Sequence, residues 1–151
     1  MAAPQTLIDA VDRIIDDFNR RKLDLPDGFF SRKTQFLING AAFETLLSTA
    51  PNDPLILMLA RGPAGYRFTV QALQHAIPDV KVERGDLVTD GDPFGVTTKL
   101  WLSGTLRGNG GPINALVTIH LRLTEAGPIE SAAATMNETE LAAIREARLK
   151  P

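Results

Sequence analysis

Apolar side chains recur at most alternate positions from Val96 to Leu123, on both sides of an Asn109-Gly110 step. Successive side chains of a strand point to opposite faces, so this alternation predicts two long strands sharing one apolar face. Asn-Gly suits a two-residue turn, since both central positions require positive φ. With Asn109 and Gly110 as that turn, Leu106 pairs with Ile113, Leu102 with Val117 and Leu100 with Ile119. One face then carries Val96, Thr98, Leu100, Leu102 and Leu106 with Ile113, Ala115, Val117, Ile119, Leu121 and Leu123. The other is mixed, with Lys99 opposite His120, Trp101 opposite Thr118 and Ser103 opposite Leu116. A longer loop on the same register keeps these sides, whereas a one-residue bulge swaps them on one strand.

Residues 6–21 read as an amphipathic helix, with Leu7, Ile8, Val11, Ile14, Ile15 and Phe18 on one side and Asp12, Asp16, Asp17 and Arg20 on the other. Such a helix should lie on an apolar surface. Thr6 is placed to cap it, with Asp9 as the third residue of a capping box. Pro26-Asp27-Gly28 marks residues 21–33 as a turn followed by at most a short helix. Thr34–Ile38 is a first strand stopped by Asn39-Gly40, and Ala41–Leu47 fits strand or helix, with strand preferred. Asp53-Pro54 can start a helix, yet the run Leu55–Ala60 fits a buried strand equally. Gly62-Pro63 opens a better-defined helix. Tyr66, Val70, Leu73 and Ile77 form its stripe, His75 lies on the opposite side, and Pro78 stops it. From Val80 the period is two, giving three strand candidates with turn signals at Asp90-Gly91, Asn109-Gly110 and Ala126-Gly127-Pro128, a mainly antiparallel half. Asn137, with Glu140, caps a closing helix from Glu138 to about Arg148.

A chain of 151 residues, 44% of them apolar, can bury a core without stapling, and a single domain over 1–151 is expected. Without cysteine, disulfide frameworks, thiolate nucleophiles, zinc ribbons and iron-sulfur sites are excluded. Sixteen Lys and Arg against 18 Asp and Glu give a net charge of -2 with no long basic cluster, which argues against nucleic acid as a partner. The run Leu55–Ala60 is far short of the roughly 20 apolar residues that span a bilayer. Residues 1–6 lack the basic and apolar regions of a secretory signal, so a cytoplasmic protein with no membrane partner is expected.

Four short sets follow one another: Gly62-Pro63-Ala64-Gly65-Tyr66, Ile77-Pro78-Asp79-Val80, Asp86-Leu87-Val88-Thr89-Asp90-Gly91-Asp92 and Ser103-Gly104-Thr105-Leu106-Arg107-Gly108. In their order and spacing the chain resembles the SnoaL-like polyketide cyclase and ester cyclase group of the nuclear transport factor 2-like superfamily. The likeness is good over residues 60–136 and rests on element order alone before them. It implies an α+β fold, a cone-shaped curved antiparallel sheet wrapped around N-terminal helices, with an apolar cavity and dimerisation through the sheet's other face. It spans cyclases, isomerases, epoxide hydrolases, dehydratases and proteins that only bind, so it does not fix function. Leu106 stands where the cyclases carry histidine in a Gly-Thr-His pattern, and no carboxylate occurs from Ile113 to Thr124. The last strand, residues 129–136, is placed on the resemblance, because Ala132, Ala133 and Ala134 are poor strand formers. Their short side chains would widen a pocket or let a helix approach.

Cyclisation or isomerisation needs a base near a carbon acid and donors for the enolate. On the expected cavity face the two best-defined strands offer only Thr98. His120 is the natural base by its pKa, but it falls beside Lys99 on the mixed face, and His75 falls on a polar helix side. Tyr66 reads as a core aromatic able to touch a ligand, and Trp101 as a dimer anchor. Asp86, Asp90 and Asp92 suit turns better than a cation site, and Gly108–Gly111 is a turn and not a phosphate cradle. The favoured reading is a domain binding a small apolar molecule through Tyr66, Thr98, Leu100, Leu102, Leu106, Val117 and Ile119. A homodimer through the mixed face is expected, with no metal and no cofactor. Two alternatives stand beside it. One is a cyclase- or isomerase-like enzyme using polar groups from the first 60 residues or the last strand, with Asn39, Glu44, Arg61, Glu130 and Thr135 as candidates. The other is a dimerisation module with a filled cavity.

Overall fold

A computed structural model of the chain describes residues 5–22, 30–42, 62–89, 94–108, 110–123 and 129–149. In chain order the elements are α1 (Gln5–Asn19), β1 (Phe30–Ile38), β2 (Ala41–Ala42), α2 (Gly62–Ala76), β3 (Lys81–Arg84), β4 (Val88–Thr89), β5 (Gly95–Leu106), β6 (Gly111–Leu123), β7 (Ile129–Thr135) and α3 (Glu138–Leu149). The stripe of α1 faces inward: Val11 and Phe18 are buried and Ile14 and Ile15 half-buried, while Asp12, Asp16 and Arg20 are exposed. The helix already includes Gln5, whose side-chain amide donates to Asp9 one turn on, so Thr6 falls within the first turn instead of capping it. Expectations for Pro26–Gly28, residues 43–60, Asp90-Gly91, Asn109 and residues 126–128 lie outside the described residues.

Strands β5 and β6 form the longest ladder, with Leu100 opposite Val117, Leu102 opposite Ala115 and Leu106 opposite Gly111. This register is offset by two residues from that of a two-residue turn. The ladder ends at Leu106 and Gly111 for two reasons, one distant in sequence and one local. The Arg107 N–H leaves the sheet and donates to the Ala76 carbonyl at 2.8 Å, and among the described residues of the connection Gly108 (73°) and Gly111 (81°) have positive φ. An offset of two preserves the faces. Leu102, Leu106, Ile113, Ala115 and Val117 are buried, and Lys99, Trp101, Leu116 and His120 are exposed. The cross-strand partners change on both faces, and on the mixed face Lys99 faces Thr118, Trp101 faces Leu116, Ser103 faces Asn114 and Thr97 faces His120.

The strand order among the described residues is β2-β1-β7-β6-β5-β3, with β4 also paired to β5. The stretch after Val80 is therefore two short strands. β7 is held between β6, antiparallel, and β1, parallel. That parallel pair corrects the expectation of an antiparallel sheet: the sheet is mixed. β1 also begins at Phe30, inside the stretch expected to be turn or short helix. Phe30 pairs with Ile129, and its ring packs against Phe36 at 5.1 Å and Tyr66 at 5.5 Å, so Ile129 and Tyr66, both distant in sequence, hold it in the strand. Phe36 of β1 and Val82 of β3 line one cavity although four strand steps separate them, about 19 Å on a flat sheet. The sheet is therefore curved, and the fold is α+β with helices in its concavity. No described helix is long and apolar enough to cross a membrane.

Candidate functional site

A cavity of about 210 Å3 lies between the concave sheet face and the helices. α1 contributes Ile14, Ile15 and Phe18, α2 contributes Tyr66, Thr69 and Leu73, and α3 contributes Leu141 and Ile144. From the sheet come Phe36, Leu37 and Ile38 of β1, Val82 of β3, Leu100 and Leu102 of β5, Val117 and Ile119 of β6, and Ala132 and Ala134 of β7, with Met136 just beyond.

Polar contacts at the rim hold this apolar wall in place. The Asn19 side chain, at the end of α1, donates to the Val82 carbonyl and accepts from the Val82 N–H, both at 2.9 Å. Arg21 donates to the carbonyls of Val80 and Pro78, each at 2.8 Å, and Arg84 pairs with Asp12. Together they fix α1 against β3. Asn39 clasps the opposite side: its amide donates to the Met136 carbonyl and the Glu138 carboxylate, and its oxygen accepts from the Met136 N–H. Asn137 caps α3 as expected, accepting from the N–H groups of Thr139 and Glu140. These contacts set Met136, Leu141 and Ile144 against the cavity.

The described lining contains two polar side chains. Thr69 donates its hydroxyl to the Gly65 carbonyl one turn back in α2, at 2.9 Å. The Tyr66 hydroxyl makes no hydrogen bond to a described residue. Burial pushes its pKa up to about 12, and the negative charge of Asp17 adds to the effect. The phenol is thus protonated at neutral pH, and no carboxylate, imidazole or amine belongs to the described lining.

The structure brings together Tyr66, Leu100, Leu102, Val117 and Ile119 of the expected site. Thr98 and Leu106 are buried on the same face but outside the cavity, because β5 is 12 residues long and the cavity meets only its middle. Thr98 donates to the Gly85 carbonyl at 3.2 Å. The alternative polar candidates do not converge on the cavity either. The Asn39 amide is engaged at the α3 junction, Glu130 and Thr135 are exposed, and Glu44 and Arg61 lie outside the described residues. His75 sits 2.6 Å from Arg107, His120 sits 3.1 Å from Thr97, and both are exposed. Asp86 is exposed, and Asp90 and Asp92 lie outside the described residues. Sequence reasoning missed the contributions of α1, β1 and α3. The inward stripe of α1 was visible, but nothing local showed that it faced β5 and β6. Ala132 and Ala134 of β7 belong to the lining, and Ala133, between them, does not.

No protein-family model matches the sequence, and no curated protein matches it. Solved structures do. A SnoaL-like polyketide cyclase from Agrobacterium tumefaciens strain C58 is 18% identical with a TM-score of 0.63, covering 94% of this chain and 97% of that one. An NTF2-like protein of unknown function from Exiguobacterium sp. 255-15 is 17% identical with a TM-score of 0.60, covering 85% and 98%. TerC, co-crystallised with polyporic acid, is 8% identical with a TM-score of 0.63, covering 92% and 97%. At such identities the likeness shows the fold, which is that of the SnoaL-like and nuclear transport factor 2-like proteins.

Proposed function

We propose that this domain binds one small apolar molecule in its cavity and lacks the acid/base residues of the cyclases. The observation that carries this reading is the lining itself: among the described residues its polar side chains are a threonine already bonded within its helix and a protonated phenol. A mostly apolar pocket with few polar groups is the usual form of a small-molecule site, and about 210 Å3 falls below the roughly 300–1,000 Å3 of drug-sized pockets. The occupant is therefore one or two rings in size. Leu100, Leu102, Val117, Ile119 and Tyr66 supply the contact with it. A cyclase or isomerase needs a base within reach of its carbon acid, and no described lining residue supplies one. The co-crystallisation of TerC with polyporic acid supports ligand binding by a protein of this fold.

A homodimer through the mixed face belongs to the same proposal. Trp101 and Leu116 are cross-strand partners, each 43% exposed, and aromatic residues are enriched at interface centres. Trp101→Glu then leaves a monomer by sedimentation.

Calorimetric titration with indane, a bicyclic hydrocarbon, tests the binding reading. The wild-type chain binds it, and Ala134→Leu, which fills the cavity from β7, abolishes binding while the fold persists. A wild-type chain that takes up no indane, or a variant that binds it equally well, overturns the reading.

A further inference from the structure

A small apolar molecule can still carry a carbonyl or a hydroxyl, and the cavity wall decides whether that group is tolerated. The surface of the wall is almost wholly hydrocarbon, with the Thr69 hydroxyl spent on the Gly65 carbonyl and Tyr66 presenting carbon to the cavity. Its backbone is spent as well. Leu100, Leu102, Ile119, Ala132 and Ala134 each pair with a strand on either side. Val82 and Met136 stand where the ladders stop, Val82 on the edge strand β3 and Met136 just past β7. At both places a side-chain amide takes the part of the missing strand. Asn19 engages the Val82 N–H and carbonyl, both at 2.9 Å, and Asn39 engages the Met136 N–H at 2.9 Å and its carbonyl at 3.0 Å. Without the two asparagines, each of these backbones would have a donor and an acceptor left to satisfy.

Resting on the binding reading above, we propose that the cavity takes hydrocarbons and rejects ligands of the same shape that carry even one hydrogen-bonding group, because the described wall has no group left to bond it. A ketone or an alcohol gives up its water partners on entry, and burying such a group without a replacement is costly. Water cannot follow it in as a bridge, since an ordered water needs two or more polar partners and a purely apolar cavity stays dry. A hydrocarbon meets neither cost.

Three ligands of one shape, indane, 1-indanone and 1-indanol, test this when titrated calorimetrically into the wild-type chain and into Val117→Thr, a near-isosteric change that puts one hydroxyl in the wall. The wild-type chain should bind indane about tenfold more tightly than either polar ligand. In Val117→Thr the ratio of 1-indanone to indane affinity should rise about 3- to 10-fold, the worth of one net hydrogen bond. A ketone or alcohol bound by the wild-type chain as tightly as indane overturns the selectivity while leaving the cavity reading intact. An unchanged ratio in folded Val117→Thr overturns it likewise, and the wild-type comparison decides alone if that variant does not fold. Failure of indane to bind the wild-type chain overturns the cavity reading and the selectivity with it.

Discussion

The Asp79 carboxylate accepts two hydrogen bonds from Thr105, one from its backbone N–H at 2.7 Å and one from its hydroxyl at 3.2 Å. Two of the short sequence sets that suggested the fold, the Pro-Asp exit of α2 and the Gly-Thr end of β5, thus meet in one clasp. Their role here is architectural. The clasp joins the turn after α2 to the end of β5 and stands outside the cavity.

A pH dependence follows. The Thr105 N–H holds the Asp79 carboxyl below its ordinary value of 3.8. The folded state therefore favours the carboxylate, and this contribution to stability is present above 3.8 and lost as the pH falls through the lowered folded value. Asp79→Asn should unfold at lower urea than the wild type at neutral pH, and the difference should shrink on acidification. A difference independent of pH would contradict this account.

Gly104 permits the clasp. A Cβ there would lie 2.4 Å from Ile77 Cγ2 and 2.9 Å from Asp79 Oδ1, with Ile77 itself fully buried. Gly104→Ala should cost about 1–3 kcal/mol, as overpacking does, measured by urea denaturation. Gly40→Ala is the contrasting variant, since open space surrounds its Cβ position and its penalty comes from its φ of 84° alone.

Tyr66 is the single tyrosine of the chain, so phenolate absorbance reports it without interference. The midpoint of a spectrophotometric titration should lie near 12 in the folded protein and near 10.0 in denaturant. The raised folded value means that its contribution to stability is complete below the unfolded value and is lost as the pH rises through the folded one. A folded midpoint near 10.0 would place the hydroxyl in water and contradict its burial.

The faces of β5 and β6 were legible because alternation is a local property of each strand. The register was not, because Gly108, Gly110 and Gly111 allow more than one turn, and the contact that decides, Arg107 to Ala76, spans distant elements. The parallel pairing of β1 with β7 has no local signature at all. A face could be read in the sequence but not the extent of the cavity, which is why Leu100, Leu102, Val117 and Ile119 line it while Thr98 and Leu106, buried on the same face, lie outside it. The lining from α1, β1 and α3 required knowing how the sheet curves.

The central claim concerns where a small apolar molecule goes. Methyl NMR spectra recorded during titration with indane test it most directly. The account predicts shifts in the methyl signals of Leu100, Val117, Ile119 and Ala134, with those of Val88 and Leu116 on the outer face unmoved. Shifts confined to Val88 and Leu116, or none at all, would contradict it.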